Sequence, residues 1–410
     1  MKTREGLFSE DILDPGQNPA RLNPAVRIVH IVPDFRETFR RYDSGTPEFH
    51  ASMRALLSGF AQCPDAEVHV VSCFQQPVRS PDRLFPNVYF HALHVPKIGW
   101  LRSGYQGCIR AVRGTLRDIR PDLVHGQGTE RYCAISAVLS GFPNVVTVRG
   151  NMRQVARAVR AKPLTYYWLT AVLEWITLPQ AGGVVSISRY ARDQVDGLNS
   201  RTWLVPNAAE AEFYEVRREP QNPLFLCVSD IVEYKNQVGL VRALDGLRSQ
   251  RDFTLVLVGR LLPDSEYGRL FLQEVKTRPW CRYEGLADRN HVKDLLARAS
   301  ALLHPSREDN CPMAVVEAMA AGVPVAAARI GGIPDLIEDG VTGLLFDPCD
   351  AAGIRFAAQR LLDDGPLADR LSRVAREHAA VQYHPRVIAE RHMEIYREVL
   401  RVDDGLTKAR

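Results

Sequence analysis

The residues best suited to chemistry are concentrated in one segment, residues 304–325. An apolar run that predicts a strand ends there, a polar loop with Asp309 follows, and a predicted helix then carries Glu317. The first backbone N–H groups of a helix have no partner within it, and the helix dipole is positive at that end. Such a terminus favours binding of a diphosphate. Four residues mark the expected helix ends: Asn310 or Cys311 as the cap, Pro312 at the first helical position and Gly322 after the last turn.

The elements that must position this segment alternate between short β-branched runs and longer helical patterns. Runs that are apolar nearly throughout are typical of parallel strands covered by helices on both faces. We therefore predict an α/β fold with two doubly wound, Rossmann-like domains that face a central cleft. In such sheets ligands bind beyond the carboxyl ends of the strands, where residues 304–325 lie. The predicted strands are Val26–Val32, Val68–Cys73, Val88–Val95, Leu123–His125, Val145–Val148, Val184–Ser188, Trp203–Val205, Leu224–Val228, Phe253–Val258, Cys281–Glu284, Ala301–His304, Val323–Ala328 and Leu344–Phe346.

The weakest pattern between the two strand series predicts where one domain ends. Residues 207–223 are polar, with Glu and Arg clusters and two prolines, and we place a linker there. The predicted organisation is a polar extension over 1–24, a first domain over 25–206, the linker, a second domain over 224–385 and a final helix over 386–402 that packs back on the first domain.

Several motifs resemble one known family. Asp309 is followed, after seven residues, by Glu-Ala-Met-Ala-Ala-Gly-Val-Pro-Val at 317–325. Gly-Gly-Ile-Pro-Asp at 331–335 and Asp-Gly-Val-Thr-Gly at 339–343 come next. This block resembles the retaining GT-B glycosyltransferases of family 4, also called glycosyl transferases group 1. Shorter matches extend the resemblance to roughly residues 26–400: Pro121–His125, Val184–Ser188, Val205–Asn207 and Lys235-Asn236.

The resemblance implies an enzyme that moves a sugar from a nucleotide-sugar to an acceptor with retention of configuration. The first domain would hold the acceptor, and the second would hold a UDP-, GDP- or ADP-sugar. Glu317 would bind the ribose hydroxyls, and Asp309 would lie against the donor sugar near the reacting carbon. The alternative for the acid is the adjacent Glu308, although its spacing to Glu317 is one residue too long. Other implied donor contacts are Lys235 on the diphosphate and the backbone N–H groups of Cys311, Met313 and Ala314.

The chain also departs from the family pattern. Asp309 stands where the family usually has Glu, and Ser229 stands where it often has a phosphate-binding Arg. Arg260 is our candidate for the replacing cation, against the alternative of an ordinary surface Arg. Arg149 occupies the place of a His that often touches the donor sugar. His125 is a further catalytic candidate, with a core or loop histidine as the alternative.

Three other functions stay open from the sequence. A sugar-nucleotide epimerase would need a cluster of His and acids that we do not find, and a phosphorylase would need a Lys placed for a pyridoxal Schiff base. A non-catalytic nucleotide-sugar-binding protein is the third, because Asp309 and Ser229 depart from the family pattern.

Composition and cysteine spacing exclude several other classes. The 410 residues are 46% apolar and 24% charged, which argues against a disordered, collagen-like or coiled-coil chain. A net charge of +4 is too weak to imply a nucleic-acid partner. The sequence contains no C-x-x-C pair that would suggest a zinc site. It also contains no Asp-x-Asp pair that would hold a metal ion on a diphosphate. We therefore predict no cofactor and no required metal, and scattered cysteines without a signal peptide predict a cytoplasmic protein.

Cations beside aromatic residues suggest a contact with membrane lipid. Arg149, Arg153, Arg157, Arg160 and Lys162 precede the run Tyr166–Trp175, which is too short to span a bilayer. An interfacial helix uses such residues, so we predict peripheral binding to an anionic membrane surface. The alternative is a core helix with solvated arginines around it.

Overall fold

The computed structural model describes residues 25–220 and 222–408, and it contains two largely parallel sheets covered by helices. The predicted extension over 1–24 lies outside the described residues. The bounds of the domains remain a prediction. Between the last strand of one sheet and the first strand of the other, the structure shows a short 3-10 turn at Ala211–Phe213.

The first sheet has eight strands among the described residues, in the order β3-β4-β2-β1-β5-β6-β7-β8. Neighbouring strands are parallel except for the β3–β4 pair. The order reverses between β1 and β5, which makes that point the topological switch. The strands are β1 Val26–Ile31, β2 Ala66–Phe74, β3 Arg83–Phe85, β4 Val88–His94, β5 Leu123–Gln127, β6 Asn144–Val148, β7 Val184–Ser186 and β8 Thr202–Leu204.

The second sheet has six strands in the described part of the chain, in the order β11-β10-β9-β12-β13-β14, and every pair in it is parallel. Its switch point lies between β9 and β12. The strands are β9 Leu224–Val228, β10 Thr254–Val258, β11 Cys281–Tyr283, β12 Ala301–His304, β13 Val325–Ala328 and β14 Leu344–Phe346.

The helices lie on both faces of the two sheets and bury the strands. Strands such as β12 and β13 are buried at every residue, as their continuous apolar runs predict. The helices are α1 Phe35–Phe39, α2 Ala51–Phe60, α3 Gln106–Ile119, α4 Tyr132–Val138, α5 Met152–Ala158, α6 Tyr166–Thr177, α7 Arg189–Val195, α8 Gln237–Arg248, α9 Glu266–Lys276, α10 Arg289–Arg298, α11 Met313–Ala320, α12 Ala351–Asp363, α13 Gly365–Gln382 and α14 Pro385–Lys408.

All thirteen predicted strands are present, with bounds that differ by a few residues. Strand β3 was missed because it is not a buried apolar run: it begins with the exposed Arg83 and pairs antiparallel with β4 at the sheet edge. The pattern used to find the other strands, a continuous apolar run, is therefore absent there.

The last helix, α14, returns to the first sheet and packs against α2. Tyr396 is fully buried, and its ring stacks on Phe60 at a centroid distance of 6.3 Å. Gly59 allows this approach, because a Cβ there would come within 2.1 Å of the Pro385 carbonyl oxygen. The chain thus leaves the second sheet and covers a face of the first.

Candidate active site

The switch point of the second sheet brings two distant loops together. The chain leaves neighbouring strands β9 and β12 toward opposite sides, so their following loops border one crevice. Lys235 follows β9 and Asp309 follows β12. The Lys235 Nζ lies 2.5 Å from Asp309 Oδ2. Both residues were predicted site residues, and the fold places them in direct contact.

The carboxylate of Asp309 is held from three directions. His304 Nε2, at the end of β12, donates to Oδ2 at 2.8 Å, and the Asn310 N–H donates to Oδ1 at 3.1 Å. Burial opposes ionisation, but the hydrogen bond and charge of His304, with Lys235, outweigh it and hold the Asp309 pKa at about 2. Asp309 is therefore ionised at neutral pH, whereas the side chain of Glu308 points out to solvent.

A glycine pair supports the Asp309 loop from behind. Gly331 adopts φ +56°, a left-handed conformation, and a Cβ there would lie 2.0 Å from the Asp309 carbonyl oxygen. The Gly332 N–H donates to that same oxygen at 3.0 Å. The Gly-Gly pair of the 331–335 motif thus fixes the backbone of the candidate acid.

Helix α11 starts a few residues after Asp309 and carries Glu317 about one turn from its first residue, Met313. Pro312 is the N-cap and no side chain caps the helix, so the expectation that Asn310 or Cys311 caps it was wrong. Gly322 ends it with φ +69°, as predicted. The predicted donor site also includes the backbone N–H groups of Cys311, Met313 and Ala314. No described residue accepts a backbone hydrogen bond from these three groups. Those N–H groups remain available to a ligand.

Arg149 faces Asp309 from the end of β6 in the first sheet. Both residues line a cavity of about 300 Å³ between the two sheets, together with Cys311 and Glu130. The Arg149 guanidinium donates to three neutral side chains at 2.8 Å: those of Ser52, Gln127 and Asn207. Burial lowers the pKa of Arg149, and no carboxylate in the described ranges forms an ion pair with it. Its charge is thus available to a substrate in the cavity.

Asn310 connects the two sides of this cavity. Its Nδ2 donates to the Arg149 carbonyl oxygen at 2.7 Å, and its Oδ1 accepts from the hydroxyl of Ser188, at the start of α7. The structure therefore shows the two sheets' site loops in contact beside the cavity.

Ser229, which stands in place of the phosphate-binding Arg, follows β9, and Arg260, the candidate for the replacing cation, follows β10. The Ser229 hydroxyl accepts a hydrogen bond from Gln237 at 2.8 Å. Arg260 pairs with Asp230 at 2.6 Å, and both side chains are nearly half exposed. An exposed pair contributes at most about 1 kcal/mol, so Arg260 can leave it for a stronger anion.

Comparisons with known proteins match this architecture. Residues 209–378 match the model of the family described as Glycosyl transferases group 1, and residues 50–213 match Glycosyltransferase Family 4. The solved sucrose-phosphate synthase of Thermosynechococcus elongatus superposes with a TM-score of 0.72 at 19% identity, covering 92% of this chain and 100% of that one. Anabaena HepE, solved with UDP, gives a TM-score of 0.67 at 17% identity, over 91% and 100%.

The chain belongs to the group 1 glycosyltransferases of the GT-B fold. Among characterised relatives, the N-acetyl-α-D-glucosaminyl L-malate synthase of Bacillus anthracis is 32% identical over 181 residues, 44% of this chain and less than half (46%) of the relative. The α-maltose-1-phosphate synthase of Mycobacterium tuberculosis is 25% identical over 296 residues, 65% of this chain and 75% of that protein.

In this glycosyltransferase His125 lies in the core rather than on the cavity. It is fully buried at β5, where Nδ1 contacts the Tyr396 hydroxyl at 2.6 Å and Nε2 contacts the Thr147 hydroxyl at 2.7 Å. Burial, with His30 and His392 nearby, lowers its pKa well below the usual value. Of the two interpretations that the sequence left open, these contacts favour the core histidine, and we withdraw His125 as a residue that touches substrate.

Sequence reasoning missed three side chains that contact the predicted ones. His304 holds Asp309, and Arg289 at the start of α10 pairs with Glu317 at 2.6 Å. Glu210, from the predicted linker, binds the other side of Arg289 at 2.7 Å. His304 directly precedes the polar loop, so its position at a strand end was a usable signal. Arg289 and Glu210 belong to no motif, and only the fold brings them to the site.

Metal ligation has no obvious place in the described ranges. No group of three or more His, Cys, Asp or Glu side chains there is arranged to hold an ion. Two cationic side chains lie at or next to this glycosyltransferase's cavity: Arg149 lines it, and Lys235 contacts Asp309, which lines it.

Proposed function

We propose that this glycosyltransferase transfers a sugar from a nucleoside-diphosphate-sugar to a saccharide or lipid-linked acceptor, with retention at the anomeric carbon. The observation that carries the proposal is the ionised Asp309 carboxylate, which faces the cavity between Lys235 and Arg149. A fixed negative charge beside the anomeric carbon offsets the positive charge that develops there as the glycosidic bond breaks.

The diphosphate has donors on both sides of Asp309. Lys235 has three N–H bonds, so one hydrogen bond to Asp309 leaves two for phosphate oxygens. The free N–H groups at the start of α11 add a second contact, and the helix dipole favours negative charge there. Stabilising the leaving diphosphate in this way requires no metal ion.

Relatives indicate the class of donor and product. Anabaena HepE was solved in complex with UDP-glucose, and the α-maltose-1-phosphate synthase is named for a saccharide product. We therefore propose UDP-, GDP- or ADP-sugars as donors and the synthesis of a polysaccharide or glycolipid as the role. Eight cysteines are free and seven of them are buried, which fits a reducing, cytoplasmic compartment.

A donor panel tests the function directly. UDP, GDP and ADP are first screened by thermal shift, because a ligand at a hundredfold over its Kd stabilises the fold by about 2.7 kcal/mol. The matching α-linked donor is then incubated with and without acceptor saccharides, and the product anomer is read by proton NMR. An α-linked product supports retention. Epimerised donor, or binding without turnover on any acceptor, contradicts the proposal.

A product with inverted anomeric configuration would contradict the proposal and would make Glu130 the candidate general base. This carboxylate also lines the cavity, on the side of the first sheet, where a general base for an acceptor hydroxyl would stand. Glu130→Gln measured against Asp309→Asn then separates the two mechanisms.

Chelation tests the proposed independence from metal. Turnover should be unchanged in EDTA, because Lys235 and the start of α11 supply the positive charge. Loss of turnover in EDTA that Mg²⁺ or Mn²⁺ restores would contradict this part of the proposal.

We also propose that α5 and α6 dock the enzyme on an anionic membrane. Six of the fifteen large apolar side chains exposed in the described residues lie in this hairpin: Val159, Leu164, Tyr166, Tyr167, Trp175 and Ile176. The one acidic residue between 150 and 180 is Glu174, and it is fully buried. Exposed aromatics beside unneutralised cations are typical of an interfacial surface.

The arginines of the hairpin do not all face outward. Arg153 pairs with Glu174 at 3.3 Å and so belongs to the interior of the hairpin. Arg157, Arg160 and Lys162 are exposed, and no carboxylate in the described ranges pairs with them. The Tyr166 hydroxyl contacts the carbonyl oxygen of Glu130 at 3.3 Å, so the hairpin lies beside the cavity. None of the helices that the structure describes has the length and hydropathy of a membrane span.

Co-sedimentation with vesicles tests this surface. Wild-type protein should bind vesicles with anionic lipid at low salt, since each exposed cation adds about 1 kcal/mol. The triple variant Arg157→Glu, Arg160→Glu, Lys162→Glu should lose binding. The matched control reverses three exposed cations of α3, Arg110, Arg113 and Arg117. Equal loss in both variants, or no binding by the wild type, would reject the docking surface and leave the transferase proposal intact.

A further inference from the structure

A chain of alternating charges crosses from the first sheet's helices to Glu317. The Arg289 guanidinium uses Nη2 to contact Glu317 Oε1 at 2.6 Å and Nε to contact Glu210 Oε2 at 2.7 Å. Arg54, on α2, contacts the other oxygen of Glu210 at 2.6 Å. Arg289 is thus shared by two carboxylates, and Glu210 by two arginines.

The surroundings of Arg289 fix its position. Its guanidinium lies 4.5 Å from the centroid of the Phe213 ring, a cation–π contact, and about two thirds of its side chain is buried. A planar guanidinium that bridges two carboxylates has little freedom to turn. The orientation of Arg289 therefore dictates which oxygen of Glu317 is engaged.

The two oxygens of Glu317 are not equivalent. Oε1 is bound to Arg289, whereas no described residue donates a hydrogen bond to Oε2. Glu317 is 2% exposed, so the carboxylate has little contact with water. One oxygen is anchored and the other is left to a ligand.

We infer that Arg289 is a positioning residue for the donor site: it orients Glu317 through Oε1, keeps the carboxylate charged, and presents Oε2 to the ribose hydroxyls of the donor. The inference rests on the proposed function in that Glu317 must bind the nucleoside. It assigns Arg289 no contact with the reacting atoms.

The charges that face Glu317 predict what happens without Arg289. Burial raises the pKa of Glu317, and Arg289 is the main group that opposes this rise. Glu210 raises it further and Arg54 lowers it, while burial keeps the pKa of nearby His50 at about 4, so His50 is neutral. Replacing Arg289 by a neutral residue therefore raises the pKa of Glu317 further, so that the protonated form gains as the pH falls.

The test is nucleotide affinity as a function of pH. The probe is whichever of UDP, GDP and ADP binds the wild type most tightly, measured by calorimetry from pH 6 to 8.5. We expect Arg289→Gln to bind at least tenfold more weakly than wild type at pH 6 and less than threefold more weakly at pH 8.5. Arg289→Lys keeps the charge and should keep the wild-type pH profile.

Glu210→Gln provides an independent test of opposite sign. Without this carboxylate, Arg289 pairs only with Glu317. The substitution also removes a negative charge that raises the Glu317 pKa. Affinity at pH 6 should then be equal to or higher than that of wild type. A tenfold loss at pH 6 would overturn the inference, even if Arg289→Gln does not fold.

The matched control is Arg278→Gln, in the same domain and away from the cavity. Arg278 also bridges two carboxylates, Asp245 and Glu274, each at 2.6 Å. It should show the wild-type profile. If the loss in Arg289→Gln is the same at every pH, Arg289 is merely structural and the inference fails. If the wild type binds none of the three nucleotides, the proposed function fails with it.

Discussion

Two histidines in central strands, each beside the switch point of its sheet, show how differently similar positions can be used. His304 ends β12 beside the switch point of the second sheet, and His125 lies in β5 beside the switch point of the first. His304 donates to an ionised carboxylate at the cavity, whereas His125 contacts the hydroxyls of Tyr396 and Thr147. The two histidines differ because α14 packs over the first sheet and excludes water from His125.

The comparison teaches that a polar residue of a central strand takes part in a site only if packing leaves it in contact with the side chains at the cavity. The covered cluster, defined by His30, His125, His392 and Tyr396, is neutral and buried. In the open cluster, defined by His304, Lys235 and Asp309, both Lys235 and His304 contact a carboxylate that lines the cavity. Four predictions separate the two regions, in order of decreasing effect.

The largest of the four effects should be a loss of folding stability at low pH, caused by the histidines of the covered cluster. Burial lowers the pKa of His30 to about 3 and that of His392 to about 4, and His125 shifts in the same direction. Below pH 6.5 the unfolded chain binds protons that the folded chain does not, so stability falls as pH falls toward those values. Each histidine contributes up to about 1.4 kcal/mol per pH unit, about 4 kcal/mol together between pH 5.5 and 4.5.

Denaturant unfolding at several pH values measures this slope. His392→Gln should reduce it, since one of the three buried bases is removed. Asp309, with a pKa of about 2, stays ionised in the folded state throughout that range, and it adds only a small slope because an unfolded Asp, with a pKa of about 3.9, binds little proton above pH 4.5. A free energy of unfolding that does not change between pH 5.5 and 4.5 would contradict the neutral state of the covered cluster.

Asp309→Asn should abolish most of the activity of the open cluster. The side chain keeps its shape but loses the charge that matters in the transition state, so kcat should fall about 100- to 1000-fold. Donor affinity should change far less, and Asp309→Glu should remain active. Glu308→Gln is the matched control, one residue away and exposed. If Glu308→Gln causes the large loss of kcat instead, the catalytic acid is Glu308 and the assignment of Asp309 is wrong.

Glu317→Ala should weaken nucleotide binding without unfolding the protein. Loss of a charge-assisted hydrogen-bonding site corresponds to roughly 1.5–3 kcal/mol, or more than tenfold in Kd. Calorimetry with the preferred nucleoside diphosphate measures the affinity, and thermal unfolding checks the fold. Unchanged affinity would remove Glu317 from the donor site.

Tyr396→Phe should have the smallest effect, and on stability alone. It removes the hydroxyl that contacts His125 at 2.6 Å, which corresponds to about 1 kcal/mol of unfolding free energy. The kcat/KM of the folded fraction should equal that of wild type, because the covered cluster touches no substrate. A large loss of kcat with unchanged stability would return His125 to the list of catalytic candidates.

The sequence by itself determined the elements and the main motif. Continuous apolar runs predicted all but one short strand, because a strand buried on both faces must be apolar throughout. The spacing of Asp309 and Glu317 predicted a loop acid and a helix acid, and the structure places them so. The family assignment, made from the 304–343 block, is confirmed.

Tertiary structure alone decided which polar residues meet and which are covered. Arg289 and Glu317 are 28 residues apart, and Glu210 lies a further 79 residues from Arg289, so no local pattern joins them. Whether His125 is catalytic or structural depended on α14, more than 250 residues away, returning to close the first sheet. Local sequence encodes backbone geometry and burial periodicity, but contact and exclusion of water arise only when distant elements pack.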